Sequence, residues 1–208
     1  TDHIAEKMNR PRTKFLLFFL PGLCLFFNAP AQEFIPLWPE GKMPNSKGLT
    51  LEHKEERQRI TQVKTPGMYA FWTSNEDNKG SAVLICPPGG YQKLTYHLAG
   101  FQWAKWFNTM GVNAFVLIYR LPNSPDLIER EKGPIQDAQR ALKIIRNMAS
   151  VRNIDPGKVG IVGASAGGHL AAMALSCRWR ELAPDLPLQV VSGALAISGL
   201  FDLEPLRL

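Results

Sequence analysis

The sequence is poor in the residues that build disulfide frameworks, metal centres and membrane spans. Its 208 residues include three cysteines and four histidines. Cys24 lies in the apolar N-terminal stretch, and Cys86 and Cys177 stand on separate apolar segments. That spacing gives neither a disulfide framework nor a zinc motif, so packed thiols are expected. No cluster of histidine, cysteine and carboxylate has ligand spacing, and no metal or organic cofactor is expected. The apolar run over residues 15–27 is interrupted by Pro21-Gly22 and is too short to cross a bilayer of about 30 Å as a helix. A net charge of +6 is spread along the chain rather than gathered into a stripe, which excludes a nucleic-acid partner.

What the N-terminus does carry is an address. Arg10, Arg12 and Lys14 precede the apolar run, and Ala29-Pro30-Ala31 places small residues where a signal peptidase reads them. The pattern predicts export, secreted or periplasmic, with cleavage near Ala31 and no membrane association beyond export. Met8 reads as the initiator. Residues 32–65 are rich in proline, glycine and charge and read as an irregular lead-in, leaving residues 66–208 for one α/β domain.

Within that domain the hydrophobic pattern alternates between strand and helix. Strands are predicted over residues 68–73, 81–86, 112–119, 159–164 and 193–198. Helices are predicted over residues 100–110, where Phe101, Ala104 and Phe107 recur with Trp103 and Trp106 widening the face, and over residues 135–148. Such alternation implies right-handed crossovers and a three-layer α/β fold with a mostly parallel sheet. Ligands bind beyond the carboxyl ends of such strands. Three of those ends carry unusual residues: the Pro87–Tyr91 segment, Arg120, and Ser165.

Ser165 sits in Gly163-Ala-Ser-Ala-Gly167, between a β-branched strand and an apolar helix. This is the nucleophile elbow in the context it requires, and it points to a serine hydrolase. A serine at so sharp a turn leaves no room for side chains two residues to either side, which Gly163 and Gly167 provide. The N–H of Ala166, at the helix start, is then available to an oxyanion. Further donors are expected from the backbone of Gly90 and Tyr91, in a loop whose glycines expose its amides.

The segments Cys86-Pro-Pro-Gly-Gly-Tyr91, Phe115-Val-Leu-Ile-Tyr-Arg-Leu-Pro122, Pro134-Ile-Gln-Asp-Ala-Gln-Arg-Ala141, Asn153-Ile-Asp-Pro156 and Gly163-Ala-Ser-Ala-Gly-Gly-His-Leu170 together resemble the α/β-hydrolase esterases of the acetyl-xylan-esterase and hormone-sensitive-lipase-like group. The resemblance implies the α/β-hydrolase fold, hydrolysis of acetyl or short-acyl esters through an acyl-enzyme on Ser165, and oxyanion donors at Gly90, Tyr91 and Ala166. It also implies a small-molecule or carbohydrate ester as substrate. Pro88 stands where that group usually has a further glycine, so the implied donors are the later amides. The lead-in Pro36-Leu-Trp-Pro-Glu-Gly41 resembles members acting on acetylated polysaccharides. Residues 193–207 resemble the kynurenine-formamidase branch instead, which keeps an arylformamidase-like amide hydrolase as the alternative.

A serine hydroxyl needs a general base, normally a later histidine oriented by a carboxylate. After Ser165 the sequence offers His169 alone, one helical turn on, where packing or hydrogen bonding is the expected role. His97, just past the oxyanion loop, is a candidate substrate contact. His53 lies in the lead-in and His3 before the leader. Asp202 reads as a helix cap and Asp137 as a structural group. The expectation is therefore the N-terminal part of a hydrolase, truncated before its last strands and leaving residues 193–198 as an apolar edge. Taken by itself it also fits a catalytically silent binding module.

Overall fold

The computed structural model describes residues 32–182, 189–202 and 204. The leader read over residues 1–31 lies outside the described residues. In chain order the strands are β1 (Glu33–Pro36), β2 (Lys54–Glu56), β3 (Arg59–Gln62), β4 (Gly67–Phe71), β5 (Ser81–Cys86), β6 (Val112–Ile118), β7 (Val159–Ala164) and β8 (Gly193–Ile197). The helices are α1 (Gln102–Thr109), α2 (Lys132–Asn147), α3 (Ala166–Leu175) and α4 (Trp179–Leu182).

Six of the strands form one sheet in the order β1-β4-β6-β5-β7-β8. The four strands β6, β5, β7 and β8 run parallel, and β4 and β1 extend the sheet antiparallel. From β5 the chain crosses through α1 to β6, and from β6 it crosses back through α2 to β7. Right-handed crossovers in opposite directions put α1 and α2 on opposite faces. Helix α3 packs on α2 and on β7 and β8, so three layers result. The middle layer is apolar on both sides: Leu84, Ile85, Phe115, Val116 and Leu117 have no accessible surface. Each such side chain contributes about 1.5–3 kcal/mol by leaving water.

Several boundaries differ from the sequence pattern, each for a local reason. The irregular reading of residues 32–65 misses three strands. β1 is a strand because Phe34 pairs with Tyr69, their ring centroids 4.9 Å apart, and because an outermost strand tolerates the terminal Pro36. β2 and β3 form a hairpin whose two turn residues, Arg57 and Gln58, have φ of 50° and 61°. That turn normally takes asparagine or glycine, so its residues give no signal. Ahead of α1, His97–Phe101 make a π-helical turn, and Trp106, read as part of the apolar face, is 59% exposed. At the other edge, β8 presents Leu195 at 56% and Ile197 at 40% exposure. Among the described residues it is paired on one side only, with β7.

Candidate active site

The loops after β5, β6 and β7 leave neighbouring strands at the same edge of the sheet. The elbow follows β7. Ser165 joins β7 to α3 with φ 52° and ψ −122°, a conformation costing a residue with a side chain about 1–3 kcal/mol. Two close approaches hold it there. A Cβ on Gly163 would lie 2.1 Å from the Gly167 carbonyl oxygen, and one on Gly167 would lie 1.9 Å from the Cys86 carbonyl oxygen. Neither position admits any other residue without moving backbone. The Ser165 N–H donates to Ile197 O at 2.9 Å, and its carbonyl accepts from His169 N at 3.0 Å and Leu200 N at 3.3 Å. Among the described residues no hydrogen bond engages the Ser165 hydroxyl. Ala166, the first residue of α3, has no acceptor for its N–H within the helix.

The loop after β5 is wound tightly. Gln92 and Lys93 donate to Gly89 O at 3.1 and 3.2 Å, and Thr95 donates to Pro88 O at 2.9 Å. Gly90 and Tyr91 follow one another with φ of 61° and 58°. The Tyr91 phenol meets His169 Nδ1 at 2.8 Å. Its ring packs on the buried Tyr119, whose own hydroxyl donates to Pro87 O at 2.9 Å. Burial raises the Tyr91 phenol well above its ordinary range and pushes the His169 imidazolium down, so both are neutral at neutral pH.

At the end of β6, Arg120 is 2% and Asp137 0% exposed, and they are paired at 2.9 Å. Asp137 also accepts the Arg120 backbone N–H at 2.8 Å and Trp38 Nε1 at 2.9 Å, while Arg120 reaches Pro44 O at 2.7 Å. Burial pushes the Asp137 carboxyl up and the Arg120 guanidinium pulls it back. Asp137 is thus the structural group its position on α2 implied. Trp38 and Pro44 fasten the lead-in to this pair, a role its composition did not reveal.

Gly90, Tyr91 and His169 line a cleft of about 820 Å³ whose apolar wall includes Pro122, Ile135, Leu170 and Met173. Neither Ser165 nor Ala166 is among the lining residues; Ser165 is one helical turn from His169, whose backbone N–H its carbonyl accepts. His97 is not among the lining residues: the Tyr96 and Phe101 rings hold it with centroids 5.2 and 5.0 Å away. His53 faces Glu55 at 3.6 Å in the lead-in, and Asp202 accepts the Glu204 N–H at 3.1 Å, as a cap does. The phenol of Tyr91 was missed by the sequence reading, which used only its amide.

The chain is similar to known hydrolases. Residues 115–185 match the BD-FAE family model. An acetylxylan esterase of Xylanibacter ruminicola is 36% identical over 113 residues, covering 54% of this chain and 22% of that protein. Endo-1,4-beta-xylanase B of Butyrivibrio fibrisolvens is 36% identical over 105 residues, covering 50% of this chain and 16% of that protein. Among solved structures, the acetyl ester-xyloside bifunctional hydrolase of Caldicellulosiruptor lactoaceticus superposes with a TM-score of 0.55 at 26% identity, over 78% of this chain and 56% of that one. The propionate-bound esterase Est2 of Thermogutta terrifontis shares the fold, with a TM-score of 0.55 at 20% identity over 86% and 59% of the two chains. The chain thus spans less than a quarter of either curated relative and little more than half of either solved structure. The fold is the α/β-hydrolase fold, and the resemblance to acetylxylan-esterase-type hydrolases read from the motifs agrees with these relatives.

Proposed function

We propose that the protein is the nucleophile-bearing portion of an exported serine esterase that removes acetyl or other short acyl groups from carbohydrate esters. The observation that carries this reading is the backbone of Ser165: a side-chain-bearing residue at φ 52°, ψ −122°, wedged between two glycines that touch backbone. Strain of this kind persists where surrounding structure enforces it, and a strand-to-helix serine is where acyl transfer uses it.

In the reaction, Ser165 Oγ attacks the ester carbonyl. The N–H groups of Ala166 and of Gly90 and Tyr91 receive the oxyanion, each such donor being worth about 3–4 kcal/mol of transition-state stabilisation. Collapse expels the alcohol, and water then hydrolyses the acyl-enzyme. Both proton transfers need a general base, and none of the described histidines hydrogen-bonds to Ser165 Oγ. His169 Nδ1 is taken by Tyr91, while His97 and His53 are held elsewhere. The second reading, a binding module with the cleft but no turnover, is not the one the relatives favour.

A fluorophosphonate probe separates the two. Stoichiometric labelling at Ser165, lost in Ser165→Ala, supports the esterase; an intact protein with an unreactive Ser165 supports the binding module. Acetylated xylo-oligosaccharides should be preferred over N-formyl anilides as substrates. The named relatives are ester- or xylan-directed enzymes, which does not favour the formamidase alternative. Export rests on the pattern of residues 10–31, and an N-terminus at Gln32 in protein recovered outside the cytoplasm is the result it requires.

A further inference from the structure

His169 lines the cleft without a part in the chemistry above. The Tyr91 phenol has one hydrogen-bond partner among the described residues, His169 Nδ1 at 2.8 Å. A phenol proton in a part-buried site needs an acceptor, and the imidazole nitrogen is the one offered. A neutral imidazole accepting at Nδ1 carries its proton on Nε2. Both rings have packing partners. Tyr91 lies against Tyr119, which is itself tied to Pro87 O at 2.9 Å, and the His169 ring lies between Tyr91 and Phe201, with centroids 5.9 and 6.5 Å away. With Nδ1 covered by Tyr91, Nε2–H is the polar edge left to His169 in a cleft whose wall joins the apolar Ile135, Leu170 and Met173 to polar groups that include Arg130 and Lys132. The neutral state of both groups follows from their burial.

We propose that the Tyr91 side chain is a positioning residue that locks His169 in the Nε2–H tautomer, and that this N–H donates to an oxygen on the alcohol portion of the ester, such as a sugar hydroxyl. The substrate class rests on the esterase reading of Ser165; the tautomer does not. His169 is then a specificity donor for hydroxylated alcohols, and it cannot take the Ser165 proton at Nε2, which is already protonated.

The tautomer is read directly from the imidazole nitrogen shifts of protein labelled with ¹⁵N-histidine. One of the four histidines, identified by its loss in His169→Gln, should show an unprotonated Nδ1 and a protonated Nε2. Tyr91→Phe should return it to the mixed pattern of free imidazole. In titrations with acetylated xylotriose, His169→Phe should weaken binding about tenfold, the loss of one hydrogen bond of about 1.4 kcal/mol. His169→Gln, whose amide N–H reaches as far as Nε2, should bind within about threefold of the parent. A protonated Nδ1, or equal binding by His169→Phe, overturns the proposal. Neither measurement requires turnover. An unreactive Ser165 beside an Nε2–H tautomer and a weakened His169→Phe defeats the esterase reading alone; a labelled Ser165 beside a protonated Nδ1 defeats this proposal alone.

Discussion

Two loops at one sheet edge, after strands that flank β5, treat polar groups in opposite ways. After β6, Arg120 and Asp137 are buried, and their charges are answered by one another, by Trp38 and by the backbone. After β7, Ser165 is held in a strained conformation, and among the described residues its hydroxyl has no partner. The first arrangement joins the lead-in to the sheet and is buried. The second is costly to the fold and leaves its oxygen available. Satisfaction of hydrogen bonds, more than burial or charge, distinguishes the structural site from the candidate reactive one.

Substitutions can sharpen or break this contrast, beginning with the largest effect. Asp137→Ala leaves the Arg120 guanidinium buried without its counter-ion and should lower the unfolding free energy by about 3–5 kcal/mol in urea titrations. A loss below 1 kcal/mol would mean the pair is not structural. Gly167→Ala forces a methyl group against the Cys86 carbonyl oxygen and should lower stability by about 2–3 kcal/mol. Unchanged stability there would show that the elbow is slack. Ser165→Gly removes the conformational strain and should raise stability by about 1 kcal/mol, the opposite sign to Asp137→Ala. If it destabilises, the strain argument fails. The smallest effect is pH-dependent. Burial lowers the folded-state pKa of His169 below its ordinary 6.5, so the unfolded chain binds a proton that the folded one does not. Stability should therefore fall as pH drops through 6.5 and level off below the folded value. His169→Gln should reduce this slope, and an unchanged slope would assign it to other groups.

Features set by adjacent residues were legible in the sequence. The continuous apolar runs of β5, β6 and β7 and the period of α2 identify the layers, and the elbow is dictated by a handful of consecutive positions. What the sequence did not disclose depends on partners far along the chain. Trp38 meets Asp137 across 99 residues, and Tyr91 meets His169 across 78, so neither pattern has a local trace. β1 is a strand only because β4 offers an unpaired flank, and the β2–β3 hairpin turns on Arg57 and Gln58, which seldom adopt positive φ. His97 stands close to the Gly90–Tyr91 loop in sequence, but aromatic packing around the π-helical turn decides where its ring goes.

The bond from the Ser165 N–H to Ile197 O ties the strained residue of the elbow to β8, the outermost parallel strand among the described residues. Deuterium exchange at that single amide consequently times the detachment of β8 from the elbow. Exchange as slow as global unfolding would mean that the turn at Ser165 and the sheet margin open as one cooperative unit. Faster exchange would mean that the serine's geometry has a lifetime of its own, set by a strand that the rest of the sheet can spare.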